Sequence, residues 1–156
     1  MPANEPAETT DSTHLPQLWA RPNPDPPPPL RRAYRADVRV LICDDEDNIR
    51  LLFRMEFEER GAEVSEAVDG DDCIRQAEAH CPDVIVLDLF MPNRDGLSAL
   101  PELKRQCPDA RVLVVSAHPA ETTFNRSRAR GATACFEKTG FAARIPHVVE
   151  RYGGAA

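Results

Sequence analysis

The sequence predicts an α/β fold: a doubly wound, five-stranded parallel sheet covered by helices. Two observations predict it. Val84, Ile85, Val86 and Leu87 form an unbroken β-branched and aliphatic run, the pattern of a strand buried on both faces, as in a parallel sheet with helices on either side. Four more short apolar runs, at about 38–43, 63–68, 111–116 and 133–137, alternate with segments of helical periodicity, giving a repeated βα unit. Right-handed crossovers then place every strand's carboxyl end on one edge of the sheet. In open sheets of this kind that edge borders the ligand crevice.

The first strand (38–43) runs into four acids, residues 44–47, ahead of a helix over about 48–60. Ile49, Leu52, Phe53 and Phe57 make its apolar stripe, Gly61 ends it, and Glu46 and Asp47 read as partners of the helix dipole. The second strand (63–68) leads to a helix over about 69–80, with Asp69 as the cap and Cys73, Ile74 and Ala77 as the buried stripe. Pro82 restarts the chain as the central strand, which stops at Asp88. Beyond it, Met91-Pro92 and Asp95-Gly96 are turn chemistry, in which proline fixes φ and glycine admits a positive φ. A third helix over about 98–106 tolerates Pro101 if that residue lies in the first turn.

After the fourth strand comes a helix over about 120–130 closed by Gly131. Arg126 and Arg130 share one of its faces, read as solvated. The last helix starts late, near Arg144, because Pro146 belongs in a first turn, and it carries Ile145, Val148, Val149 and Tyr152.

Composition bounds the function. One domain is expected of 156 residues without repeats, and 42% hydrophobic residues suffice for its core. The formal charge is −7, and residues 1–36 carry equal numbers of acids and arginines. The acidic excess therefore belongs to the folded part, which disfavours non-specific nucleic-acid binding. Residues 1–36 are rich in proline and polar residues, and are expected to be a disordered tail with a stiff polyproline stretch near 24–29. No window approaches the roughly 18–20 apolar residues of a membrane span, nor is there a basic segment leading into an apolar one, so a cytoplasmic protein is expected. Five cysteines, odd in number and without a C-x-x-C pair, suggest neither a disulfide framework nor a zinc site. His80-Cys81 is the nearest approach to a ligand pair.

The strand ends carry the chemistry. They offer Asp44-Asp45, then Asp88, then Ser116, and Lys138 just beyond the last strand. LICDDE, VIVLDLFMPNRDG, VLVVSAHP and CFEKTG, in that order and at suitable spacing, resemble the motifs of response-regulator receiver domains. The resemblance covers about 37–152, leaving the tail and the short segment 153–156 outside it. It implies the flavodoxin-like strand order 2-1-3-4-5 and a phosphoryl group accepted on Asp88 from a histidine kinase or histidine phosphotransfer protein.

Three carboxylates crowded together repel one another unless a cation compensates them, and oxygen-only donors favour a hard ion. Mg²⁺ fits, and the resemblance implies that Asp45, Asp88 and the backbone carbonyl of Phe90 would bind it directly, with Asp44 acting through water. It also implies that Lys138 balances the phosphoryl charge, that Ser116 hydrogen-bonds the attached group, and that the small Ala117 leaves it room. Phe90 and His118 would flank the path of the hydrolytic water.

Two departures from the family pattern stand out. Thr139 follows the lysine where proline, with a cis peptide, is usual. Cys135 stands where an aromatic switch residue is usual.

Competing chemistries lack their residues. An aspartyl phosphohydrolase typically needs a second acid where this chain has Phe90, a P-loop is absent, and Asp44-Asp45-Glu46 would repel a flavin phosphate. The remaining alternative is a receiver-like interaction module that does not use phosphate. With no residues after about 152 for an output domain, the sequence leads us to expect a stand-alone receiver, not an enzyme with its own substrate. It would signal through a protein partner at the fourth helix, last strand and last helix, without direct DNA or membrane binding, with a homodimer on phosphorylation left open.

Overall fold

The computed structural model describes residues 37–153, and the expectations for the N-terminal tail lie outside them. The elements alternate as expected: β1 (Arg39–Cys43), α1 (Asp47–Glu58), β2 (Glu63–Ala67), α2 (Gly70–Ala79), β3 (Val84–Asp88), α3 (Gly96–Gln106), β4 (Arg111–Ser116), α4 (Glu121–Ala129), β5 (Ala134–Glu137) and α5 (Ile145–Tyr152), the last entered through a 3₁₀ turn at Ala142–Arg144. All strand pairings are parallel, in the order 2-1-3-4-5.

Strand alternation sorts the core into two layers. Leu41, Ile85, Leu87, Val112 and Val114 pack with the buried residues of α2 and α3, and Phe124 of α4 joins them. Val40, Ile42, Val86, Leu113 and Val115 face α1 and α5. β3 is buried throughout, as its unbroken apolar run requires. β2, at the edge, is the most polar strand and only its last residue is buried, which limits pairing with another chain.

Local chemistry sets the boundaries. Asp69 and Asp95 cap α2 and α3, each accepting a hydrogen bond at 2.8 Å, from the N–H of Asp72 and Ser98 respectively. Gly61 and Gly131, both at positive φ, end the α1 and α4 segments.

Four expectations are corrected. Leu52 is 44% exposed: the buried line of α1 follows the i, i+4 spacing of Ile49, Phe53 and Phe57, and Leu52 falls to one side of it. Pro101 is not in the first turn, because Asp95 caps α3 earlier than periodicity suggested and puts proline in the helix interior. Proline there frees the carbonyl four residues back. The guanidinium of Arg130 donates to that Leu97 oxygen at 3.0 Å, so Arg130 serves α3 as well as being on an exposed helix face. The positive φ in the loop after β3 belongs to Asn93 (φ 62°), not to Gly96. Gly96 is needed for a different reason: a Cβ there would collide with the backbone oxygen of Asp88. Lastly, Cys43–Cys73 and Cys81–Cys107 are disulfide-paired, with Cα separations of 5.9 and 5.5 Å. Spacing concealed these pairs, because the partners come from different βα units stacked side by side.

Candidate functional site

Asp44, Asp45 and Asp88 meet at the carboxyl edge of the sheet, where β1 and β3 are neighbours. One carboxylate oxygen from each lies within 4.8 Å of the others. Asp88 is the last residue of β3, and the close pass of Gly96 holds its backbone, with the Gly96 N–H donating to Leu89 O at 3.1 Å. The loop entering α1 is fixed by the Asp44 N–H donating to Ala67 O at 3.1 Å, and by the Arg50 guanidinium donating to Asp44 O at 2.8 Å.

Lys138 reaches the same point from the end of β5. Its Nζ stands 2.7 Å from Asp44 Oδ2 and 3.4 Å from Asp88 Oδ2. Its backbone N–H donates to Ser116 O at 2.8 Å, tying the lysine loop to the end of β4. Ser116 is fully buried, and its hydroxyl oxygen accepts from the His118 N–H at 3.1 Å. The Lys138–Thr139 peptide is trans and the loop turns at Gly140, φ 79°.

Electrostatics follow from burial and company. Asp88 is raised from 3.8 to about 6, first by burial, then by the neighbouring Asp44 charge, against the opposing pull of Lys138. Asp44 is also raised by burial, opposed by its hydrogen bonds to Lys138 and the Glu46 N–H. Burial would lower Lys138, but hydrogen bonds to Asp44 and Glu46 and the charge of Asp88 outweigh it and hold the ammonium above its ordinary value.

Glu46 is the residue that sequence reasoning misassigned. It stands at the N-cap position of α1 without making a side-chain cap, and its carboxylate instead contacts Lys138 Nζ at 2.7 Å. The signal available was Asp-x-Glu: an Asp side chain that accepts from the N–H two residues on, here at 2.9 Å, folds the chain back on itself. Glu46 is thereby turned toward the lysine.

The remaining candidates divide. Phe90 is 55% exposed, and its ring meets His118 edge-on with centroids 5.3 Å apart. Both are tied to the site through their backbones, Phe90 N donating to Asp88 Oδ1 at 3.3 Å and His118 N to Ser116 Oγ at 3.1 Å. Ala117, next to Ser116 in the chain, is exposed. Cys135 is not in this group. It packs on the α2–α3 layer with Phe124 as a neighbour, while Phe136 faces the other layer, 5.3 Å from the Phe141 ring.

An acceptor-only triad, with Asp44 and Asp88 buried and Asp45 open to solvent and a lysine at its side, is suited to holding a small hard cation, and to presenting one carboxylate oxygen to an electrophile. These features on this sheet edge define a receiver-type signalling domain. The family model for the response regulator receiver domain matches residues 40–150, and the chain belongs to that family.

Among its relatives, the transcriptional regulatory protein PdtaR of Mycobacterium tuberculosis is 39% identical over 103 residues, 64% of this chain and 49% of its own. The chemotaxis protein CheY of Bacillus subtilis is 35% identical over 80 residues, 51% of this chain and 67% of its own. A protein-glutamate methylesterase/protein-glutamine glutaminase of Anaeromyxobacter dehalogenans is 39% identical over 103 residues, but only 30% of its length is covered. The chain thus spans half or less of the length of several relatives. Among solved structures, the receiver domain of the putative response regulator NarL from M. tuberculosis superposes with a TM-score of 0.70 at 28% identity, covering 75% of this chain and 96% of that one. No helix among the described residues is long and apolar enough to cross a membrane.

Proposed function

We propose that this chain is a phosphoryl-accepting receiver in which Asp88 is the nucleophile. The observation that carries the reading is the meeting of Lys138 Nζ with Asp44 and Asp88, 2.7 and 3.4 Å away, beside a third carboxylate, Asp45. An Asp88 oxygen would attack the phosphorus of a phosphohistidine or small phosphodonor. The new P–O bond forms as the bond to the leaving group breaks, and that group departs with the electron pair. Lys138 balances charge on the equatorial oxygens, and Ser116 supplies a hydroxyl at the adjacent strand end.

The donor set suits Mg²⁺: every side-chain donor is a carboxylate, and Asp45 is exposed to solvent. Asp45 and Asp88 would hold the ion with the Phe90 carbonyl, and Asp44 through water. When bound it would neutralise the carboxylates and the phosphoryl oxygens.

Residues 37–152 would be the working unit, in the cytoplasm. A histidine kinase or phosphotransfer protein would be the donor, and a protein docking on α4, β5 and α5 the receiver of the signal. Incubation with Mg²⁺ and acetyl phosphate, followed by mass spectrometry, tests the reading. One phosphate on the parent and none on Asp88→Asn supports it. An unmodified parent would instead favour the interaction module that keeps this fold without using phosphate.

A further inference from the structure

We propose that Cys81 and Cys107 form a reversible thiol–disulfide site, oxidised by small disulfides, at the edge of the sheet opposite the acidic pocket. Cys81 is exposed in the link between α2 and β3, whereas Cys107 is 2% exposed and caps the carboxyl end of α3. They are paired across 26 residues of sequence.

Both redox states are provided for. In the paired state Cys81 Sγ lies 3.6 Å from Gln106 O and Cys107 Sγ 3.5 Å from Ala77 O, so reduction would leave each thiol with a carbonyl acceptor close by. A cleft of about 270 Å³, lined by Cys81, Cys107, Arg39, Asp83 and Pro108 among others, opens at the pair and leaves room for an incoming disulfide. In a reducing compartment, pairs of this kind are characteristically transient rather than structural. The second pair, Cys43–Cys73, is buried at 1% and 0% exposure, so it offers an outside reagent no comparable access.

Exposure sets the order of attack. The Cys81 thiolate attacks one sulfur of a disulfide such as oxidised glutathione, forming a mixed disulfide and expelling one glutathione thiolate. The Cys107 thiolate then attacks the Cys81 sulfur, closing the internal bond and expelling the second. Two protein thiols lose two electrons and two protons in all, and one oxidised glutathione becomes two reduced ones. Closure ties the carboxyl ends of α2 and α3 together. Their amino ends are already joined around the loop after Asp88, where Asn93 donates to Asp69 at 2.8 Å and the Gly70 N–H to Arg94 O at 2.9 Å. The proposal is independent of phosphoryl acceptance, and Asp88→Asn should leave it intact.

The test equilibrates the full chain in glutathione buffers of increasing oxidised fraction, then applies an acid quench, alkylation and peptide mapping. A linked 81–107 peptide should form in oxidised buffer and disappear from the folded protein on adding reduced glutathione. The melting temperature should rise by roughly 10 °C on closure. Cys107→Ser should accumulate a glutathione adduct on Cys81, and Cys81→Ser should leave Cys107 unmodified. Thiols that stay reduced in excess oxidised glutathione overturn the proposal, as does a linked peptide that resists reduction. Equal adduct formation in both variants overturns the order of attack, and if either variant fails to fold, the parent's titration decides alone.

Discussion

Replacing Asp88 by Asn should make the metal-free protein more stable, and the structure gives the size and the pH dependence of the gain. Burial and the Asp44 charge raise Asp88 from 3.8 to about 6, so keeping it ionised at neutral pH costs up to roughly 3 kcal/mol. The pocket opens to solvent at Asp45, and screening reduces that to about 1–2 kcal/mol. Little attraction is given up in exchange: of the three carboxylates around Lys138 Nζ, Asp88 is the farthest at 3.4 Å, and Asp44 and Glu46 stay at 2.7 Å. A raised carboxyl contributes its stability below the unfolded value and loses it as pH rises through the folded one. The parent's handicap is therefore absent below about pH 4, develops between about 4 and 6, and is full above. Urea unfolding in chelator should show the Asp88→Asn variant ahead by about 1–2 kcal/mol near pH 7.5 and level with the parent near pH 4. Millimolar Mg²⁺ should stabilise the parent by linkage and the variant much less. A variant no more stable than the parent in chelator near neutral pH, or a gain that does not change with pH, would refute the reasoning.

Three further outcomes are expected. Phe90→Asn, two residues on from Asp88, removes the ring that meets His118 and should speed loss of phosphate from Asp88, followed by phosphate release; an unchanged or slower decay counts against a shielding role. Arg130→Met should cost about 1–2 kcal/mol with Pro101 present and much less in Pro101→Ala, where an amide replaces the guanidinium as donor to Leu97 O; an additive double-mutant cycle would remove that explanation. Cys135→Ala should leave intact the amide-exchange response of residues 118–122 to a phosphoryl mimic, because Cys135 packs against Phe124 away from the pocket and has no ring to swing; loss of that response while Asp88 still accepts phosphate would make the thiol part of the switch.

The elements were legible in the sequence where one local rule decided them. β3 is an example: four β-branched and aliphatic residues between Pro82 and the turn chemistry after Asp88 fit a short buried strand with an acid at its edge. Asp69 as a cap also followed from local geometry alone. What escaped was tertiary. The pairing of Cys81 with Cys107 depends on α2 and α3 lying side by side, and the role of Arg130 depends on an unsatisfied carbonyl one helix away. Gly96 was singled out correctly but for the wrong cause, since close approach and positive φ leave the same letter in a sequence.

The carboxylate balance also explains why Lys138 could be found by motif while Glu46 was not. Three acids, Asp44, Glu46 and Asp88, converge on one ammonium and Asp45 stands beside Asp44 and Asp88, so the lysine cannot neutralise them all and is held by the two that approach most closely. Asp44 is buried, and its backbone is bonded to Ala67 and Arg50. Glu46 is exposed at the rim, with its side chain 61% accessible, and is the partner the lysine can most readily leave. If Asp88 is the acceptor, an anionic phosphoryl group on it would compete with Glu46 for Lys138, while a cation would relieve the acids that the lysine leaves behind. The same crowding that raises Asp88 in the metal-free pocket would thus favour a cation and a phosphoryl group together over either alone.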